Sequence, residues 1–349
     1  MSKGNPHSVD ARGRIRIEGF DVDGLGDRDI TSSWTPALES TEGKGRLFYA
    51  WIRFKRNRLA LFGALVILSM MVLAILARPI YLPATSPILP GQVIQPFSIV
   101  PHPPASQDLL NADQPPSGEH YFGTDWAGRD IFSRVLYGGR WSLSIGFLVV
   151  AVAFLIGVPL GSIAGYYGGV VDEVIMRLVD MLYAFPFIVL AIAIIAIFGR
   201  GYWELIAALV LTGWLPYARI IRGEILSVKE NEYVLAAKAL GARDRSVVIR
   251  HILPNAMAPV IVQATLSVGT VVLAAAALGF IGLGLSPASA EWGVMLNVGQ
   301  DSLARGRWWI TTFPGFAIFL FVMAINLVGD GIRDAFDPQG ETGQRGALR

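Results

Sequence analysis

The chain of 349 residues contains no cysteine and only four histidines, His7, His102, His120 and His251. Without thiols there are no disulfides, zinc–thiolate sites, iron–sulfur clusters or cysteine nucleophiles. The histidines are scattered, and no spacing among them reads as a metal box. Charge is scarce, with 16% Asp, Glu, Lys and Arg against about 25% in an ordinary soluble domain. It is also balanced, at a formal net charge of +2, which excludes the basic profile of a nucleic-acid binder. A P-loop needs GxxxxGK followed by Ser or Thr, and no lysine here is followed by either. What is abundant is apolar: 53% hydrophobic residues and a mean hydropathy of +0.50. A disordered chain has too little apolar surface to match this. The sequence is that of an integral membrane protein.

A helix crossing about 30 Å of hydrocarbon needs about 20 mostly apolar residues. Six stretches qualify: Leu59–Ala77, Trp141–Gly165, Leu178–Phe198, Trp203–Ile221, Met257–Leu285 and Trp309–Val328. The first follows a long charged segment and lacks a convincing cleavage site, so it reads as an uncleaved anchor. With the amino terminus inside, the inner flanks of the six spans carry 16 Lys and Arg and the outer flanks 7. The positive-inside rule then puts both termini in the cytoplasm.

The parts outside the spans differ in kind. Residues 1–45 are polar and Gly-rich, with the composition of a flexible cytoplasmic tail. Residues 46–58, ending in RFKRNR, read as a basic interfacial helix at anionic headgroups. Residues 78–140 form an outer segment, in which half of the chain's 20 prolines fall between Pro79 and Pro116. That stretch is expected to be extended loop. Residues 141–328 make the core of spans two to six, and 329–349 a cytoplasmic C-terminal tail.

Charges inside a membrane are costly and mark function. Asp180, Glu204 and Arg219 lie near span ends and read as snorkelling anchors, and no carboxylate pair sits at mid-membrane as an ion-coupled transporter would need. Span two carries Gly157, Gly161, Gly165 and Gly169 at intervals of four, a ladder that lets another backbone approach closely, within the chain or between subunits. Pro159 should kink it. Gly279, Gly282 and Gly284 form a second cluster of small residues. Trp292, Trp308 and Trp309 are expected in the interfacial belt.

The cytoplasmic loop 222–256 is long enough to fold by itself. Ser227 and Glu230 have capping-box spacing, predicting a helix from Ser227 to Leu240. Tyr233, Ala236, Ala237 and Leu240 form one apolar stripe along it. Gly241 ends it as a left-handed cap. Asp244 is placed to cap a second short helix, stopped by Pro254. A short helix with small residues at its exposed end suits a groove on a partner.

Several motifs give the chain a family likeness. Leu235-Ala236-Ala237, then Gly241 and Ala242, then His251-Ile252-Leu253-Pro254 resemble the EAA loop of ABC importer permeases, with the spacing kept. Leu235 stands where the family has glutamate and His251 where it has isoleucine. FGTDWAGRDIFSRVLYGGRWSL (122–143) resembles the segment before span two in dipeptide, oligopeptide and nickel permeases. LGFIGLGLSPASAEWGVML (278–296) and GDGIRDAFDP (329–338) are similar to further motifs of that group. The pattern is that of the C-type permease subunit.

The resemblance implies an all-α fold of six transmembrane helices, that of a type I ABC importer permease in a bacterial inner membrane. It implies a non-catalytic subunit that binds no cofactor itself, with ATP and Mg on partner subunits. The implied partners are a second homologous permease of B-type, two cytoplasmic ATPases and a periplasmic solute-binding protein. The ATPase-coupling residues would be Leu235, Ala236, Ala237, Leu240, Gly241, Ala242, Leu253 and Pro254. Cargo would be small peptides, with nickel, glutathione or another small solute as alternatives. The periplasmic motif Gly123, Thr124, Asp125, Gly128, Arg129, Asp130 and Arg134 reads as a structural cluster; the alternative has Arg129, Arg134 and Arg140 ringing an outer mouth. An intramembrane hydrolase is disfavoured: Gly161-Ser162-Ile163-Ala164-Gly165 has its serine one place early for GxSxG. An ion-coupled secondary transporter, working without ATPases, is the remaining class.

Overall fold

The computed structural model describes residues 7–9, 15–17, 46–77 and 99–336. Most of the N-terminal tail, the Pro-rich stretch 78–98 and the tail after 336 lie outside the described residues. The chain forms two compact units, 1–48 and 49–349. In the first, β1 (His7–Val9) and β2 (Ile15–Ile17) pair antiparallel, Ser8 opposite Arg16.

The rest of the described chain is mainly helical. A short basic helix, α1 (Arg46–Arg56), has Arg53, Lys55 and Arg56 in its last turn, where cations suit the helix C-terminus. Asn57 separates it from α2 (Arg58–Leu76), its side chain accepting from the amides of Leu59 and Ala60. Then follow α3 (Ile131–Tyr167), α4 (Gly169–Tyr183), α5 (Phe187–Phe198), α6 (Tyr202–Gly213), α7 (Leu215–Val228) and α8 (Glu232–Ala239). A single turn, α9 (Asp244–Ser246), runs through a π-helical stretch, Val247–Ile252, into α10 (Leu253–Phe280). The last two are α11 (Trp292–Leu303) and α12 (Trp309–Phe336).

Among the described residues, five helical segments are long and apolar enough to cross a bilayer: α2, α3, α6 with α7, α9 to α10, and α12. The third expected span is α4 and α5, bent by 86° between them. The cause is Pro186, which lacks an amide proton and disfavours helical backbone at Phe185. The fifth span ends at Phe280 and not at Leu285, because Gly282 turns the chain at φ +81°.

The glycine ladder acts inside the chain. A methyl at Gly161 would overlap the carbonyl of Ala218, and one at Gly157 the carbonyl of Trp214; Gly165 meets Arg222. Each step of four on α3 is matched by a step of four on α7, so the two helices run parallel in close backbone contact. Gly169 does not join them. It has φ +55° with no atom near its missing side chain, and with Gly168 it turns the chain into α4.

Two tryptophans expected in an interfacial belt are core residues. Trp292 is 2% exposed and donates Nε1–H to the carbonyl of Val135 at 2.9 Å. Trp309 is buried and donates to the carbonyl of Thr124 at 3.2 Å. Only satisfied indole N–H groups can be buried this way, and sequence does not reveal those carbonyls. Trp308 remains exposed. Nor do Asp180 and Arg219 act as separate anchors: they form an ion pair at 2.5 Å, with Arg219 also 4.2 Å above the Tyr183 ring.

Candidate functional site

The loop between α7 and α10 is built from short elements with different loyalties. Ile221, Ile225 and Val228 are buried in the core, so α7 continues past Ser227 and overrides its capping signal. The predicted helix Ser227–Leu240 is therefore two pieces. Lys229 ends the first, donating Nζ–H to the carbonyl of Gly165 at 3.2 Å. The second, α8, starts at Glu232 after Asn231, whose side chain makes no cap.

Val234 is the buried residue of α8. Tyr233, Leu235, Ala236 and Leu240 are exposed and Ala237 partly so, with Leu240 89% exposed. The apolar stripe thus faces outward. Gly241 has φ +81°, its amide donating to the carbonyl of Lys238 at 2.9 Å and that of Ala242 to the carbonyl of Ala237 at 3.1 Å. Those two bonds make a Schellman cap, which needs the left-handed backbone that glycine adopts without strain.

Asp244 does not cap α9. It is the first helical residue, after Arg243, and its carboxylate accepts the hydroxyl of Tyr166 at 2.6 Å. Lys238 lies 4.8 Å over the Tyr166 ring. Together with Lys229 they pin the loop to the end of α3. Pro254 does not stop a helix; it sits in the first turn of α10, where a missing amide proton costs nothing. Leu253, beside it, packs against the core that holds Val247 and Ile252.

At the opposite end of α3 the motif residues are closely interlocked. Gly123 and Gly128 take φ +75° and +70°. Thr124 donates its hydroxyl to the carbonyl of Asn111 at 2.6 Å and accepts the amide of Gln114 at 2.8 Å. Asp125 accepts the amides of Ala127 (2.9 Å) and Arg129 (3.0 Å) and Nε–H of Arg129 (2.7 Å). Asp130 caps α3 through the amide of Ser133 at 2.8 Å. Arg134 reaches the carbonyls of Pro104 (3.1 Å) and Ser289 (2.9 Å). Arg129 and Arg134 are 3% and 2% exposed, so neither presents a charge to a ligand from this position. Arg140 is partly exposed over the Tyr137 ring.

Sequence reasoning missed two features here. One is α11, a helix within what reads as an outer loop. The other is Glu291, which caps it by accepting the amide of Val294 (2.9 Å) and is held by the hydroxyl of Ser142 (3.0 Å). Burial pushes the Glu291 carboxyl up from its ordinary value, with those hydrogen bonds opposing the shift. No sequence signal marks it, since glutamate is not among the preferred N-cap residues.

Comparison with known proteins assigns the chain to a family. Residues 157–339 match the family described as binding-protein-dependent transport system inner membrane component, and residues 46–116 match the N-terminal TM domain of oligopeptide transport permease C. The dipeptide transport system permease protein DppC of Bacillus subtilis (strain 168) is 39% identical over 312 residues, 89% of this chain and 90% of that protein. The oligopeptide transport system permease protein OppC of the same organism is 39% identical, covering 83% and 88%. The glutathione transport system permease protein GsiD of Pectobacterium atrosepticum is likewise 39% identical, covering 83% and 90%. This chain belongs to the family of binding-protein-dependent transport system inner membrane components, and is a multi-pass ABC importer permease.

Proposed function

We propose that this chain is a non-catalytic permease subunit that forms half of the pathway for small peptides across the bacterial inner membrane. It pairs with a homologous B-type permease, two cytoplasmic ATPases that hold ATP and Mg, and a periplasmic solute-binding protein. Both termini are cytoplasmic, as is the loop containing α8. Peptide cargo rests on the likeness to the dipeptide and oligopeptide permeases. Glutathione, itself a tripeptide, belongs to the same class of cargo and is the second reading, carried by the likeness to the glutathione permease.

The observation that carries the mechanism is the outward face of α8: Leu235, Ala236 and Leu240 exposed beside a left-handed Gly241. An amphipathic helix with small residues at its tip fits a protein groove. In this reading, Leu235, Ala236, Ala237, Leu240, Gly241 and Ala242 enter a cleft on one ATPase. Leu253 and Pro254 join the loop rigidly to α10. Closure of the ATPase dimer then swings α7 and α10. Because Tyr166 holds Asp244 and Lys229 holds Gly165, α3 moves with them.

Gly241→Asp tests this in proteoliposomes with the ATPases and binding protein. It would bury a charge in the cleft and strain the cap. Peptide uptake should be lost while ATP hydrolysis continues. Undiminished uptake at normal expression would contradict the mechanism.

A further inference from the structure

The outer-motif end of α3 gathers residues that the peptide-transport reading does not use. His102 and His120 are 18 residues apart in sequence, a spacing that conceals them as a pair. In the fold their rings lie 4.5 Å apart, tilted by 35°. One imidazole nitrogen from each, with a carboxylate oxygen of Asp130, all lie within 4.8 Å of one another. We propose that His102, His120 and Asp130 form a binding site for one divalent transition-metal ion of the zinc class, which ties the segment around residue 102 and the turn around residue 120 to the start of α3.

Two imidazoles and a carboxylate are a donor set suited to zinc, with a fourth position left for water. Bonds of about 2.0–2.1 Å set tetrahedral donors roughly 3.4 Å apart, so the present spread closes with movements of about an ångström. The His102 ring is already oriented. Nε2 of His102 lies 3.1 Å from the carbonyl of Glu119. A carbonyl only accepts, so Nε2 carries the proton and the lone pair on Nδ1 is free. Metal-binding histidines are held in this way by an outer acceptor. Nδ1 of His120 lies 2.9 Å from Oδ1 of Asp130. A carboxylate too only accepts, so without metal this nitrogen carries the proton. That proton moves to Nε2 when zinc takes its place between the two groups. Oδ2 is fixed by the amide of Ser133 at 2.8 Å.

Charge and access also fit. A helix N-terminus alone repels a cation, but here the buried carboxylate of Asp130 stands at that end. The neighbouring arginines are directed elsewhere, Arg129 to Asp125 and Arg134 to backbone carbonyls. His120 and Asp130 are buried, and His102 is half-buried, which leaves a route from solvent through its side of the group.

The test uses the full-length chain, purified in detergent on a tag without histidine and stripped with a chelator. Zinc is then titrated by calorimetry, and bound metal is counted by mass spectrometry after desalting. One zinc per chain is expected, with a raised melting temperature and no comparable binding of calcium. His102→Ala and His120→Gln should each weaken zinc binding at least tenfold, while His7→Ala and His251→Ala leave it unchanged. Should His120→Gln fail to fold, His102→Ala decides the matter, since its ring lies at the solvent side. Absence of stoichiometric zinc, or zinc binding that survives His102→Ala, would overturn the site and leave a hydrogen-bonded cluster. Neither result bears on peptide uptake, so the test is independent of the proposed function.

Discussion

The two ends of α3 are built on opposite principles. At its start, Thr124, Asp125, Arg129, Asp130 and Arg134 are all buried and bonded to one another or to backbone from residues 104 to 289. At its finish, the loop holding α8 is anchored by Val234, Val247, Ile252, Tyr166 and Lys229, while α8 and its C-cap expose Tyr233, Leu235 and Leu240. A buried polar network rigidifies a structure in proportion to how fully it is satisfied, and here Nη2 of Arg129 is the one buried atom of these five side chains left without a hydrogen bond. An exposed apolar helix with few anchors is left for a partner to complete. In the proposed mechanism the same helix joins this fixed end to a docking end, and a displacement imposed at one is carried as a rigid body through the Gly157–Gly161–Gly165 contact with α7.

The contrast makes unequal predictions for substitution. Asp125→Ala should have the largest effect. It strips the acceptor from two backbone amides and from Arg129, whose Nη2 already lacks a partner. Leaving buried charge unpaired costs about 3–5 kcal/mol, so folded protein should be scarce by size-exclusion chromatography in detergent. Gly161→Val comes next. Its side chain would overlap the Ala218 carbonyl and Ile221, and overpacking of this kind costs about 1–3 kcal/mol. Gly223→Ala, on α7 with nothing near its missing side chain, should leave the melting temperature equal or higher.

At the docking end the effect on stability should be small and the effect on transport large. Gly241→Asp strains one left-handed residue, about 1–2 kcal/mol, without steric overlap. Tyr166→Phe removes one hydrogen bond, about 1 kcal/mol, and should lower the ratio of peptide transported to ATP hydrolysed more than it lowers the melting temperature. Equal losses in both measurements would make Tyr166 a purely structural residue.

The smallest effect concerns pH. Because burial raises the Glu291 carboxyl in the folded chain, the folded state holds that proton more tightly than the unfolded state. Stability should fall as pH rises from about 4.3, the unfolded value, through the folded value. Glu291→Gln should flatten that slope in a melting-temperature series across pH. An unchanged slope would show that other groups set it.

How much of this was readable without coordinates follows the same division. Long apolar runs and the left-handed Gly241 are local signals, and they located the six apolar stretches and the loop's cap, though not the 86° bend that breaks the third stretch. The misread positions depend on distant partners. Ser227 looks like a cap until Ile225 and Val228 are buried, and Trp292 looks interfacial until Val135 offers a carbonyl. Pro254 reads as a stop because its role as a helix start depends on the π-helical stretch before it. His102 and His120 appear scattered because 18 residues separate them. The outer motif offers spacing alone, and only the fold turns Arg129 and Arg134 inward.

The most direct test of the docking account exploits the absence of cysteine. Leu240→Cys introduces a unique thiol at a position 89% exposed. Maleimide labelling should be fast in the chain without ATPases and slowed at least tenfold in the assembled complex. Leu110→Cys, at an exposed position on the outer-motif side of the molecule, should label equally in both. Equal labelling of Leu240→Cys with and without the ATPases would contradict the claim that α8 is the surface through which ATP-driven motion enters this chain.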